Sequence, residues 1–452
     1  MSYSNFCEVK IELGGHYGYR RLIVSSLPGM AMMIIGSLYS IVDGLFVSNC
    51  VGITPFAGLN LVWPAIMVVG ALGLMIGSGG SAIVSRMLGQ GDLDRACRTF
   101  TSLVAFCLLL AVFSGALMFL LMPKIVLLLG ATGDDLIRNA VLYGRVFAVG
   151  MPAFMLQMTF QPFFMVAEKP ELGTAVSLAC GVTNMVLDAT FMVVFKMGLF
   201  GAALASILAC CVGGFFPLWY FFRRREEGRL RLTSVKFERP VLVEACTNGS
   251  SEYVGNIAFS LVSMCYNLQL MRLYGESGVA AYSVIMYIGY VFVAMFSGYN
   301  LTVAPVAAYN YGAGRRDELH SLLCKSLRLL FALGVVLALL AEVLAAPAAR
   351  LFVGYDQGMF ALTVHAERIY MLSFVLTGVT LFTSAWFTGL GNGVVSAALA
   401  FTRSIVFEMG CVFLMPAIFG PDGIWFSVIV AEAGNLVLCA VMLARFRPRY
   451  GY

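Results

Sequence analysis

Two pairs of residues carry most of the chemistry written in this sequence. Tyr39 and Asp43 stand four residues apart in the apolar run from Leu27 to Cys50, and Asn184 and Asp188 repeat that spacing in the run 172–196. Residues four apart share one face of a helix, so each run presents a polar group and then a carboxylate to the same neighbour. A carboxylate in a membrane-spanning segment costs roughly 2.5–3.5 kcal/mol on insertion scales and by default marks a functional site. The plainer alternative for Asp43 is an aspartate at a helix end reaching the headgroups, because Ser48 and Asn49 follow it. For either pair, a local partner that merely satisfies the side chain is the other alternative. Two such pairs in one half of the chain favour a small polar chamber, with Tyr143, Gln157, Gln161 and Ser206 as its further polar candidates.

Desolvation disfavours the charged form of a carboxylate, and two close carboxylates titrate as a pair. A chamber of this kind takes up a proton from one side of a membrane and releases it on the other. The same oxygens, with Asn184 and the hydroxyls, are suited to hold Na⁺, and the residues leave that choice open. No other cofactor is implied. There is no Walker lysine motif and no GxGxxG with a following strand, so ATP is not the direct driver. His16, His320 and His365 lie in or near loops without ligand spacing, and the twelve cysteines, almost all within apolar runs, include no CxxC. Neither a metal centre nor a catalytic constellation is expected.

The elements that must position these residues follow from composition. The chain has 452 residues, 60% hydrophobic and 12% charged, about half the charge of a soluble domain. Apolar runs of about 20 residues recur along its whole length, which predicts an all-α integral membrane protein and not a barrel. Twelve spans are expected, at 22–49, 57–84, 99–122, 140–166, 172–196, 199–222, 241–272, 279–308, 321–346, 364–389, 393–418 and 422–445. Basic residues gather on alternate loops: Arg20 and Arg21, then Arg86, Arg95 and Arg98, then Arg223, Arg224, Arg225, Arg229, Arg231, Lys236 and Arg239, then Arg315, Arg316, Lys325 and Arg328, and last Arg445, Arg447 and Arg449. The positive-inside rule puts those loops and both termini in the cytoplasm. The net charge of +5 is thus a topology signal, not a sign of a nucleic-acid partner. The RRREEGRLRL cluster suits linker duty or contact with anionic lipid.

The chain also repeats itself. SRMLGQGDLDRA and AYNYGAGRRDEL place glycines at 89 and 91 and at 312 and 314, and the same constant offset pairs Gly52 with Gly275, Ala57 with Ala280 and Arg145 with Arg368. Residues 1–222 and 240–452 are therefore expected to form two six-helix lobes joined by a cytoplasmic linker at 223–239. Six is even, so the lobes insert alike and are related by a pseudo-twofold axis along the membrane normal. Such bundles enclose a midplane cavity that rocking exposes to alternate sides; no filter sequence suggests a pore. Gly73, Gly77 and Gly80 form a small-residue face for helix packing. Pro28 either kinks the first helix or merely opens its first turn.

The second half lacks both carboxylates: Tyr266 stands at the repeat position of Asp43 and Cys411 at that of Asp188. It has Glu252 early in its first span, suited to a cation site or to bonding Ser250 or Ser251. Arg403 is expected to be a structural charge facing the bundle or the cytoplasmic side and paired with some carboxylate, and Glu408 lies in the same span. Glu342 and Glu432 are expected near span ends and without a role. Twenty-five methionines and 35 phenylalanines suit an adaptable apolar cavity, though any membrane bundle is rich in them.

SIVDGLFV in the first span, SRMLGQGD after the second, NMVLDATFMVVFKMGLFGAALAS across the fifth and sixth, and APVAAYNYGAG after the eighth together resemble the multidrug and toxic compound extrusion (MATE) family over essentially the full chain. The resemblance implies an antiporter of the cytoplasmic membrane, not an enzyme, that exports cationic or amphipathic organic compounds against inward H⁺ or Na⁺, and a role in drug resistance. It implies a first-lobe ion site at Tyr39, Asp43, Tyr143, Asn184, Asp188 and Ser206, with the first helix kinkable at Pro28. Other members use a second-lobe glutamate similar to Glu252 together with an aspartate in the tenth span; here that span has Glu367 near its start and no aspartate, so coupling is assigned to the first lobe. A monomer is expected. The competing reading is a lipid or lipid-linked-oligosaccharide flippase of related architecture, whose cavity would carry several basic residues, whereas the mid-span charges here are chiefly acidic.

Overall fold

The computed structural model describes residues 12–223, 230–354 and 356–452. The charged start of the chain up to residue 11, and Arg224, Arg225 and Arg229 of the central loop, lie outside the described residues. The first three spans are the unbroken helices α1 (Tyr19–Cys50), α2 (Ile53–Gly89) and α3 (Leu93–Leu128). The fourth is a bent pair, α4 (Asp134–Val149) and α5 (Met151–Val166). The fifth runs from α6 (Pro170–Asp188) into a π-helical segment, Ala189–Val194, and α7 (Gly198–Arg223) is the sixth. The second lobe opens with α8 (Arg239–Tyr274), α9 (Glu276–Gly312) and α10 (Arg316–Val353). Its next span is again a bent pair, α11 (Gln357–Met371) and α12 (Phe374–Gly389). The eleventh, α13 (Gly393–Phe401) and α14 (Met409–Phe419), encloses a π segment at Thr402–Glu408, and α15 (Gly423–Tyr450) closes the bundle.

All twelve expected spans are present. Among the described residues nine helical stretches are long and apolar enough alone to cross a membrane, and the two bent pairs raise that to eleven. The twelfth is α8, whose 36 residues are too polar to qualify by composition because Thr247, Asn248, Ser250, Ser251 and Glu252 crowd one stretch. Packing uses those groups. The Asn248 amide donates to the Thr388 carbonyl at 2.8 Å, and the Ser251 and Thr388 hydroxyls are 3.2 Å apart.

The lobes share their irregularities. The fourth span bends by 60° and the tenth by 45°, and the fifth and eleventh each carry a π segment. Pro152, near the start of α5, has no N–H for the preceding turn, which accounts for the first bend. In the second, Ser373 and Leu372 bond back three residues to Tyr370 and Ile369, a tightened turn without a proline. The Gly73–Gly77 face packs as expected: Thr159 of α5 donates to the Gly73 carbonyl at 2.8 Å, and a methyl on Gly77 would come within 2.8 Å of the Thr159 backbone.

Two apolar cores correspond to the two lobes, one built around Phe100, Phe147, Phe160 and Phe221, the other around Tyr266, Phe296, Trp386 and Trp425. Leu13, Tyr17 and Leu22, among the first described residues, are buried in the second of these, so this segment packs against the lobe it does not build. This strap touches both lobes. Leu13 N–H donates to Glu168 at 2.7 Å, Lys325 donates to the Tyr17 carbonyl at 2.7 Å, and Arg315 donates to the Gly14 carbonyl.

The lobes also meet directly, at the end of the bundle carrying Arg86, Arg239 and Arg315. Arg86 pairs with Glu244 at 2.7 Å. Gly79 faces the backbone of Ala245, Gly249 that of Met75, and Gly29 that of Gly298, so closely that a methyl group on any of them would overlap the opposite chain. Pro28 is the tenth residue of α1. It lies inside the helix, next to this contact, which excludes the reading in which it only opens the first turn. Its carbonyl accepts a 2.8 Å hydrogen bond from Thr174 of α6. This seal predicts that Gly249→Leu holds the lobes apart at the basic end and lowers transport at least tenfold at equal membrane abundance. Efflux by that variant at the wild-type rate would show that so close an approach is not needed.

Candidate functional site

Five helices of the first lobe bring the expected residues together. Tyr39 and Asp43 come from α1, Tyr143 from α4, Gln157 from α5, Asn184 and Asp188 from α6, and Ser206 from α7. The Asp43 and Asp188 carboxyls face one another. Tyr143 lies within charge range of both and against the Ser206 hydroxyl, and Tyr39 lies against the Gln157 amide. Two neighbours were not foreseen: Cys180 and Cys210 flank Tyr39. On α6, Gly181 has no side chain and the Tyr39 ring packs over it. The chamber lies in the half of the membrane away from the basic end, since Asp43 is seven residues from the end of α1 and Ser206 eight from the start of α7.

Asp188 is 0% exposed, Tyr143 0% and Asn184 1%. Yet both Asp188 oxygens, one Asp43 oxygen, the Tyr143 hydroxyl and the side-chain carbonyls of Gln157 and Asn184 have no hydrogen-bond partner within bonding geometry. Buried polar groups are nearly always satisfied, so a cluster of orphans calls for an explanation. Here every orphan is an oxygen and three belong to carboxyls, a donor set that fits a proton shared between carboxyls or a small hard cation such as Na⁺. The π segment begins directly after Asp188, and such bulges concentrate at functional sites.

Pro28 and Glu252 do not join this cluster. Pro28 lies fifteen residues down α1 from Asp43, about 22 Å. Glu252 is a partly buried residue of α8 whose carbonyl accepts from Asn256.

The second lobe corrects the sequence reading at Glu432. Glu432 is not at a span end: it is 2% exposed, ten residues into α15, and it is the partner of Arg403. The guanidinium donates to it through Nε at 2.8 Å and Nη2 at 2.5 Å, and Thr380 donates to its other oxygen at 2.5 Å. Glu342 lies inside α10 and pairs with Arg368 at 3.3 Å. Counting residues from Gly423 would have placed Glu432 in mid-span, but no pattern named its partner. Glu408 stands beside Arg403, and Tyr266, Tyr282 and Tyr370 converge on it. Glu367 of α11 is 0% exposed with both oxygens unpartnered.

A twelve-span bundle of two pseudo-symmetric lobes, sealed at one end and holding facing carboxyls in one lobe, is the architecture of a secondary transporter. The MatE family model matches residues 28–190 and again 253–414, once in each lobe, and the chain belongs to that family of multidrug and toxic compound extrusion transporters. Among its relatives are the multidrug export protein MepA of Staphylococcus saprophyticus, 23% identical over 90% of each chain, and MepA of Staphylococcus aureus, 23% identical over 94% of this chain and 92% of that one. An outward-facing MATE transporter of the MOP superfamily superposes with a TM-score of 0.89 at 21% identity, covering 96% of this chain and 98% of the other. A Pyrococcus furiosus MOP transporter, described by a binding pocket of reverse polarity, superposes at 0.87 and 22% identity over 96% and 98%.

Proposed function

We propose that this protein is a multidrug exporter of the cytoplasmic membrane that expels cationic or amphipathic organic compounds in exchange for H⁺ or Na⁺. The observation that carries the reading is the pair of facing carboxyls, Asp43 and Asp188, surrounded by orphaned oxygens. The relatives named as multidrug export proteins support the export half of the proposal. The mid-span charges of the first lobe are acidic, which favours cations over the phosphates a flippase must hold.

The basic loops are cytoplasmic by the positive-inside rule, so the seal at that end makes this an outward-facing arrangement, with the chamber in the outer half. The ion is then loaded from outside onto Asp43 and Asp188. Neutralising them removes the repulsion between α1 and α6 and lets α1 rebend at Pro28, where it lacks a backbone hydrogen bond. That bend displaces Gly29 from Gly298 and the strap from Lys325 and Arg315. The lobes rock, the cytoplasmic end opens, and the ion leaves as drug enters. The two states differ in which carboxyl occupancy they favour, which is the differential interaction any ligand-driven switch requires.

The test is efflux of ethidium from reconstituted liposomes under an imposed pH gradient or an imposed Na⁺ gradient. Acceleration by one of them is expected and names the ion. Equal rates with and without either gradient would end the antiporter reading.

A further inference from the structure

Arg145 of α4 has an internal counterpart that is neutralised where Arg145 is not. In the second lobe its repeat position is Arg368, which pairs with Glu342 of α10 at 3.3 Å. The same offset carried back from Glu342 falls on Phe119 of α3, and Phe119 is the residue Arg145 meets. The guanidinium lies over that ring, 5.2 Å from its centroid, and its Nε donates to the Phe119 carbonyl at 3.3 Å. No acid among the described residues pairs with it. The two lobes therefore share one α-helical frame and one arginine, but only the second supplies the anion.

The open arginine lines a groove. Between α3 and α4 lies a cavity of about 560 Å³ with an almost wholly apolar wall that includes Phe119, Leu142, Val146 and Val149. Its polar lining is Arg145, Arg138 seven residues before it on α4, and Asp134, so the groove holds two guanidiniums against one carboxylate. Its depth fits a lipid. α3 has 36 residues and is about 54 Å long, some 24 Å longer than the hydrocarbon layer. Phe119 lies nine residues before the helix end away from the basic loops, about 14 Å, which sets Arg145 near the boundary between headgroups and acyl chains. A cation held there on a lipid-facing wall is costly without an anion.

We propose that this groove binds one anionic phospholipid, with an acyl chain along Leu142, Val146 and Val149 and its phosphate bridging Arg138 and Arg145. The guanidinium fork matches phosphate oxygens two at a time, and the apolar wall selects a lipid over a free phosphate ion.

The experiment is native mass spectrometry of the purified full-length protein from which bulk lipid has been stripped, titrated with phosphatidylglycerol or phosphatidylcholine. One tightly retained phosphatidylglycerol is expected in wild type, bound at least tenfold more tightly than phosphatidylcholine. Arg145→Gln should lose that preference. Phe119→Glu, which installs the pairing already present in the second lobe, should lose it as well while leaving the protein at least as heat-stable as wild type. Equal retention of the two lipids by wild type, or an unchanged preference in both variants, would overturn the proposal, as would binding of inorganic phosphate that competes with phosphatidylglycerol at equal concentration.

Discussion

Asp43→Asn and Asp188→Asn are each expected to abolish gradient-driven drug efflux, a loss of at least a hundredfold, with membrane insertion and thermal stability kept. The substitution is nearly isosteric and replaces a titratable oxygen by an amide that can neither take up a proton nor contribute charge to a bound cation. Both Asp188 oxygens lack a partner, so the fold does not depend on them for hydrogen bonds. Relieving two facing carboxyls of their repulsion should stabilise the lobe slightly. Efflux assays on vesicles of matched protein content, with melting of the purified variants as the control, check both halves of the expectation. Gradient-driven efflux in Asp43→Asn would remove that residue from the coupling step.

The second large effect is on stability and lies in the other lobe. Arg403→Leu would leave Glu432, 2% exposed, without the guanidinium that donates two hydrogen bonds to it. Breaking one half of a buried pair typically costs about 3–5 kcal/mol, whereas replacing both halves by apolar residues is often neutral. Arg403→Leu should therefore melt far below wild type in detergent, and Arg403→Leu combined with Glu432→Leu should recover most of that loss. A single variant as stable as wild type would mean that the Thr380 hydroxyl already bonded to Glu432 suffices without the guanidinium. Because Glu408 also faces Arg403, recovery in the double variant is expected to be incomplete.

Much of this architecture could be read from the residues, for a physical reason. A helix crossing lipid must be apolar for about 20 residues, and that demand writes most span borders into composition, although composition alone underrates the polar α8. The constant offset between the two glycine-bearing loops revealed the lobes, and helical spacing put Tyr39 with Asp43 and Asn184 with Asp188. What stayed hidden are features decided between helices. Neither π segment has a sequence signature, because an inserted residue shifts only the phase of a helical pattern, and spans apolar on most faces carry little phase to shift. Glu432 was given no role because its partner, Arg403, belongs to another span. Residues 12–22 looked like part of the first lobe because they precede it, yet Leu13 and Tyr17 are buried against the second; chain order does not determine packing. The lone Arg145 became informative only when the structure showed what its counterpart Arg368 touches.

The most direct test of coupling runs the exchange backwards. Liposomes containing the protein are given a drug gradient and no ion gradient, and movement of H⁺ or Na⁺ is followed with an internal dye. An antiporter working through the first-lobe carboxyls must drive one of these ions against the drug flow in wild type and neither in Asp43→Asn or Asp188→Asn. Drug movement without ion movement in wild type, or the same ion movement in both variants, would contradict the account.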